Sequence, residues 1–247
     1  ICSLLQHGFH LRHDAAPRMV ADFIDVGGMS SRPGAVSISE KEEKKRVLPV
    51  IEMILTDFPD TLISVDTFRA GVARAAVEAG AVLVNDISAG KLDAKLFETV
   101  ADLGVPYILM HMKGVPATMQ QNPQYESLLA EVMDFFIEKV GRLRALGVRD
   151  IVLDVGFGFG KSLEDNYTLL QNMHAFRVLE LPLLAGISRK SMIYKLLKIS
   201  PDEALNGTSA LHMVALQQGA KILRVHDVAA ARECIALWQM LEQQKEQ

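Results

Sequence analysis

The chain is predicted to fold as an α/β protein, a (β/α)8 barrel, and three observations carry that prediction. Apolar, β-branched runs alternate with helical patterns along the sequence, which implies right-handed βαβ units and a parallel sheet. Polar groups recur at the carboxyl ends of those runs: Val65-Asp66-Thr67, Val84-Asn85-Asp86, Met110-His111-Met112, Leu153-Asp154, Gly186-Ile187-Ser188-Arg189-Lys190 and Arg224-Val225-His226-Asp227. In a barrel of parallel strands these ends converge on one mouth, where the active site of such an enzyme sits. The length of 247 residues matches one such domain, and 49% hydrophobic residues are ample for its core.

The strand runs, in order, are Phe23 to Val26, Leu62 to Val65, Val82 to Val84, Tyr107 to Met110, Ile151 to Leu153, Leu183 to Ile187 and Ile222 to Val225. Between and after them, helical patterns cover Ser39 to Leu55, Arg69 to Ala79, Ala94 to Leu103, Tyr125 to Leu146, Leu163 to Met173, Asp202 to Gln218 and Ala229 to Leu241. Four of these end at Gly80, Gly104, Gly147 and Gly219, the residue type that closes a helix in the left-handed conformation. The charges from Glu40 to Arg46 read as a solvated helix face.

This gives about seven strand–helix units where a closed barrel needs eight, and the deficit lies at the front. Cys2 to Leu5 reads as a remnant of a first strand, and His7 to Asp14 holds three His without clear periodicity. Pro17 to Ala21 reads as the end of a helix, with Asp22 opening the next strand. The expectation is a single domain over 1–247, irregular at 1–21, whose first strand and following loop are incomplete or atypical. Ile1 is preceded by no initiator Met and begins no basic-then-apolar pattern, so a trimmed beginning is expected rather than a targeting peptide.

Charge and cysteine content narrow the function classes. Lys and Arg number 26 against 30 Asp and Glu, a net of −4, and the basic residues form neither stripe nor tail, which disfavours nucleic acid and anionic membrane as partners. The 2 cysteines, Cys2 and Cys234, exclude a disulfide framework or a cysteine-rich zinc site and fit a reducing cytoplasm. No apolar run reaches the roughly 18 residues of a membrane span.

The candidate site residues come from the strand ends. Asp66, Asn85 and Asp154 offer two carboxylates and an amide to a planar ligand rich in ring N–H and amino donors. Taken singly each reads equally well as a helix N-cap; the shared strand-end position favours a site. Ser31-Arg32-Pro33-Gly34 is a Gly-hinged loop whose Arg32 suits an anion, with a solvated arginine as the competing reading. Ser188-Arg189-Lys190 opens a helix after the next-to-last strand and Arg224 with His226 closes the last, where such barrels bind phosphate; one Lys, one or two Arg and a His there suit pyrophosphate or another polyanionic leaving group. Arg189 also reads as structural and His226 as a satisfied core histidine. The run Asp154 to Lys161 alternates glycines but lacks the acidic partner of a dinucleotide fingerprint; its glycines let the backbone approach a flat ligand that Phe157 or Phe159 lines. His111 reads as a packed strand residue, since no second ligand lies at metal spacing beside it.

In these segments, together with Ile24 to Ala35, the chain resembles the dihydropteroate synthase family of pterin-binding TIM barrels, in the family's order from Phe23 to the last helix. The resemblance implies transfer of a dihydropterin-methyl group from its diphosphate to 4-aminobenzoate, with release of pyrophosphate, in folate biosynthesis. It implies that Asp66, Asn85, Asp154 and Lys190 bind the pterin, with Met110, Gly186 and Phe159 lining the pocket. It also implies that Arg224 and His226 bind the leaving anion, that Ser31 and Arg32 belong to a mobile loop, and that Ser188 lies near the aminobenzoate. Lys190, Arg224, His226 and Arg32 are thereby the candidate catalytic set. Mg2+ is implied as cofactor and a homodimer as the assembly. The family's metal-binding Asn on the first strand has no match between Ile1 and Ala21, so no metal ligand is identified, and Val155 stands where the family has Pro. The other readings are a pterin-binding remnant without turnover and a folate-dependent methyltransferase barrel.

Overall fold

The computed structural model describes residues 2–6, 21–29, 38–115, 119 and 123–244; the stretch His7 to Asp14 and the candidates Ser31 and Arg32 lie outside them. Eight strands close a barrel in chain order: β1 (Cys2–Gln6), β2 (Phe23–Gly27), β3 (Leu62–Asp66), β4 (Leu83–Asp86), β5 (Tyr107–Met110), β6 (Ile151–Asp154), β7 (Leu183–Ala185) and β8 (Ala220–Val225). From β2 to β8 every neighbouring pair is parallel.

The expected irregularity at the front takes a definite form. β1 runs antiparallel to both β2 and β8, with Ser3 opposite Ile24 on one side and Val225 on the other. A strand in either direction satisfies the exposed backbone groups of the two flanking edges, so the ring closes even though one member is reversed. Gln6, where β1 ends, pairs with Ile222 near the floor, whereas in a regular barrel a first strand ends at the mouth.

Among the described residues, eight α-helices accompany the strands: α1 (Glu40–Asp57), α2 (Ala70–Glu78), α3 (Leu96–Leu103), α4 (Leu128–Ala145), α5 (Leu163–Gln171), α6 (Ser191–Leu197), α7 (Leu205–Gln217) and α8 (Val228–Gln243). Ser39 caps α1 through Glu42 N, and Ser162 with Asp165 forms a capping box on α5. The four expected helix-ending glycines all have positive φ. Two elements escaped the periodicity: a 3-10 helix at Met173–Leu179 and the seven-residue α6, both too short to show a helical repeat. In α1 the charge run divides. Lys44 with Glu40 and Arg46 with Glu42 form solvated i,i+4 pairs, but Glu43 is buried, accepts from Thr67 Oγ1 at 2.7 Å and pairs with Arg69. That network ties α1 to the loop after β3.

Strand parity sorts the barrel into layers. Successive side chains on a strand point to opposite faces. Ile24, Val26, Ile63, Val65, Val84, Tyr107, Leu109, Leu153, Leu223 and Val225 face outward into one core shared with the helices. Phe23, Leu83, Ile108, Val152, Leu184 and Ile222 face inward and fill the barrel interior as a separate apolar plug. Two residues further along the same strands, on the same inward face, stand Asp25, Asn85, Met110, Asp154, Gly186 and Arg224, and Asp66 lies in register with Asn85. The polar layer therefore rests on a largely apolar one. No described helix is long and apolar enough to cross a membrane.

Candidate functional site

The inward layer at the mouth brings together the strand-end candidates on β3, β4, β5, β6 and β8, and adds one the sequence reading left without a role. Asp25 is buried on β2, and its Oδ2 accepts from Asn85 Nδ2 at 3.1 Å and from Arg224 Nε at 2.8 Å. Its Oδ1 has no hydrogen-bond partner among the described residues. Arg224 also donates through Nη2 to Asp66 Oδ2 at 2.8 Å. One guanidinium thus links two carboxylates on neighbouring strands, and one carboxylate links Arg224 to Asn85. Parity was the available signal for Asp25: it lies two residues past Phe23, as Asn85 lies two past Leu83.

Asp66 is not an N-cap. The N-cap position of α2 is Arg69, and the Ala70 N–H is taken by Asp93 Oδ2 at 2.8 Å, which leaves Asp66 to the barrel interior. Burial raises the Asp66 pKa, the Arg224 charge opposes that, and Asp25 adds to it. The next residue after Asn85 shows the parity rule from the other side: Asp86 turns outward and accepts from Tyr107 Oη at 2.6 Å, Ser88 N at 2.7 Å and Gly90 N at 2.7 Å, a purely structural set.

Asp154 is buried and half-satisfied by its own loop, with Gly156 N donating to Oδ1 at 2.7 Å. Burial raises its pKa, and Lys190, the Gly156 N–H and Arg224 hold it down again. Its Oδ2 faces the space beside Gly186, where a Cβ would meet nothing closer than that oxygen at 3.8 Å and Arg224 Cβ at 3.9 Å. Gly186 thereby leaves open volume in the polar layer. Gly186→Val should fold normally and lower affinity for a planar ligand by about 1.4 kcal/mol or more, roughly tenfold, by filling that volume. A fluorescence titration beside a thermal melt checks it; unchanged affinity with an unchanged melt would place the ligand elsewhere.

The loop after β6 distinguishes its two phenylalanines. Phe157 is fully buried in the shared core, whereas Phe159 is half-buried and joins Ile87, Met110, Met112 and Met119 in an apolar wall at the mouth. Lys190, at the N-cap of α6, donates to the Phe157 carbonyl and lies 4.7 Å from the Phe159 ring centroid. Gly156 has φ +71°, and a Cβ there would sit 1.9 Å from the His111 carbonyl oxygen, so the close docking of this loop on the end of β5 requires glycine. His111 is held by Lys161, whose Nζ lies 2.9 Å from Nδ1. Burial first, then the neighbouring lysines, push the His111 pKa down to about 2, so the ring is neutral. Burial also lowers Lys161, to about 7.

At the other side, Ser188 is buried, and its Oγ accepts the His226 N–H at 3.2 Å and lies 3.0 Å from His226 Nδ1. His226 is exposed at the mouth and is no core histidine. Arg189 is structural: it grips Asp227 through Nε at 2.7 Å and Nη2 at 2.9 Å and donates to the carbonyls of Pro201 and Asp202. Arg224 and His226 share the inward parity but stand in separate sets, Arg224 on the two carboxylates and His226 on Ser188. Ser31 and Arg32 are outside the described residues. Among the described residues no group of three or more His, Cys, Asp or Glu side chains is gathered to hold a metal ion, and Asp25 and Asp66 are engaged by Arg224. A Mg2+ ion takes most of its ligands from water and substrate phosphates, so it needs no such cluster.

Such a layer offers carboxylates and an amide to a flat donor-rich ring, an apolar wall for its face, and cations toward solvent. Comparison with known proteins points the same way. The pterin binding enzyme family matches residues 14–226. The dihydropteroate synthase of Haemophilus influenzae is 44% identical over 221 residues, 89% of this chain and 80% of that protein. That of Escherichia coli is 46% identical over 217 residues, 87% of this chain and 76% of the relative. Among solved structures, the Yersinia pestis dihydropteroate synthase in a sulfonamide drug complex superposes with a TM-score of 0.87 at 42% identity, covering 90% of this chain and 81% of that one. The Xanthomonas albilineans dihydropteroate synthase with 4-aminobenzoic acid gives a TM-score of 0.84 at 41% identity, covering 90% and 80%.

Proposed function

This chain belongs to the pterin-binding enzyme family, and on that premise we infer that it is a dihydropteroate synthase. It condenses 6-hydroxymethyl-7,8-dihydropterin diphosphate with 4-aminobenzoate to give 7,8-dihydropteroate and pyrophosphate. The observation that carries the reading is Asp154: one oxygen fixed by Gly156 N, the other turned toward the opening beside Gly186.

We propose that Asp154, Asp66 and Asn85 accept and donate at the edge of the pterin ring, with Met110 and Phe159 against its face. Carboxylates that take ring N–H bonds raise the electron density of the heterocycle. The bond between the exocyclic methylene carbon and the diphosphate oxygen then breaks with its electron pair leaving on oxygen, and the ring carries the resulting positive charge. The amine nitrogen of 4-aminobenzoate attacks the methylene carbon and afterwards loses a proton. Lys190 stands between the two halves, close enough to the ring to fix it and positive toward the leaving anion. His226 and Ser188, exposed and buried members of one hydrogen-bonded pair, lie on the side proposed for the diphosphate and the aminobenzoate. The methyltransferase reading gives way to the synthase identity of the relatives.

The test is direct: purified protein mixed with both substrates and Mg2+ should release pyrophosphate and dihydropteroate in equal amounts. Pterin binding without pyrophosphate release would return the non-catalytic remnant instead. We place the reaction in the cytoplasm, a reading supported by the buried, unbridged Cys234.

We also propose a homodimer. Leu196 and Leu197 on α6, Leu205 on α7 and Leu237, Met240 and Leu241 on α8 are exposed, although lone apolar side chains elsewhere on the surface are scattered. Leu237→Glu combined with Met240→Lys should convert a dimer to a monomer in sedimentation velocity. A parent protein that is already monomeric at micromolar concentration would refute the assembly.

A further inference from the structure

Lys161 is almost fully buried at 3% exposure, just before the N-cap of α5, and among the described residues it touches no carboxylate. Its Nζ lies 2.9 Å from His111 Nδ1, 3.0 Å from the Gly156 carbonyl oxygen, 3.2 Å from that of Phe159 and 3.4 Å from that of His111. An ammonium has three protons, and the three shortest contacts employ them. Two of these acceptors are on the loop after β6 and one is on the end of β5, so the side chain pins loop to strand. The same loop presents the Gly156 N–H to Asp154 and the Phe157 carbonyl to Lys190, and sets the Phe159 ring 4.7 Å from the Lys190 ammonium. Burying a charge merely to pack a loop is poor economy, since an apolar side chain of similar length does it without desolvation. The carbonyls are what the ammonium serves.

We propose that Lys161 is a positioning residue for pterin binding: it holds the loop from Gly156 to Gly160 against the end of β5 and so fixes the Phe157 carbonyl and Phe159 ring between which Lys190 is held. The proposal rests on the reading of Lys190 as a pterin-binding group. Tyr125, whose hydroxyl donates to the Gly160 carbonyl at 2.8 Å, braces the far end of the same loop.

The experiment compares Lys161→Met, Lys161→Gln, Lys190→Ala and the double variant Lys161→Met with Lys190→Ala. Binding of 6-hydroxymethylpterin is followed by fluorescence without turnover, KM is measured for each substrate, and melting temperature is recorded. Lys161→Met should weaken pterin binding and raise KM for the pterin diphosphate roughly tenfold or more, as loss of charged hydrogen bonds does. Its melting temperature should fall, because Met leaves three acceptors without their donor, while its KM for 4-aminobenzoate should stay within about twofold. Lys161→Gln, which keeps a donor, should recover part of the loss. The double variant should bind no worse than Lys190→Ala alone, because the two residues act through one group. Parent affinity in Lys161→Met beside a weakened Lys190→Ala would overturn this proposal alone. Additive losses in the double variant, or equal losses for both substrates, would do the same. Parent affinity in Lys190→Ala would overturn the reading of the pocket as well.

Discussion

Arg224→Met should abolish pyrophosphate release and lower the stability of the fold by about 3 kcal/mol at neutral pH, the effect of stripping the cation from a buried ion pair. The side chain is 26% exposed, so part of the loss is relieved by water, but Asp25, its main partner, has no exposure at all. Without Arg224, Asp25 Oδ2 retains only Asn85, and Asp66 stays close enough to repel it. Asp66, already raised by burial, then loses the charge that held it down, so its folded-state pKa rises further above the unfolded one. A folded state that binds more protons gains on acidification, so the deficit should shrink as pH falls from 7 toward the ordinary carboxylate range. Urea denaturation of both proteins at several pH values measures this. A variant as stable as the parent at pH 7 would show that Arg224 does not neutralise the floor of the site.

The second large effect concerns binding without stability. Asp154→Asn is isosteric and keeps an oxygen for the Gly156 N–H, so the loop after β6 should remain in place. The other position then presents an amino group toward the ligand, a donor where a carboxylate had accepted. Pterin affinity should fall by about 1.5–3 kcal/mol, the worth of a hydrogen bond to a charged group. Burial already opposes the charge of Asp154, so removing that charge should leave the melting temperature unchanged or slightly higher. Isothermal calorimetry with the pterin alone decides the matter: equal affinity in both proteins would remove Asp154 from the pocket.

Much of this is legible in the amino-acid sequence, for a reason that lies in the parallel strand. Buried on both faces, most of these strands read as short apolar runs, and a carboxylate or amide after the run marks the carboxyl end. Asp66, Asn85 and Asp154 were visible that way. Asp25 was passed over because it interrupts its strand in the middle, with Val26 and Gly27 still to come, and only the inward parity shared with Phe23 marks it. Lys161 was hidden differently. Composition gives no hint that a lysine is buried, and its acceptors are backbone carbonyls, which carry no residue identity. Glu43 sat inside a charge run that looks uniformly solvated, and a helix shows its buried face only when the pattern is read around the axis. The reversal of β1 was beyond reach, since a five-residue run specifies a strand but not its direction.

The plug beneath the polar layer makes the barrel a cul-de-sac. Phe23, Leu83, Ile108, Val152, Leu184 and Ile222 occupy the axis, so traffic has one direction in and the same direction out. Whatever sits deepest must arrive first and depart last. The product, longer than the pterin it contains, has to back out through the position its aryl half occupied on entry, and pyrophosphate must clear the doorway before it. A compound lodged in that doorway therefore obstructs departures as well as arrivals, without ever touching the floor.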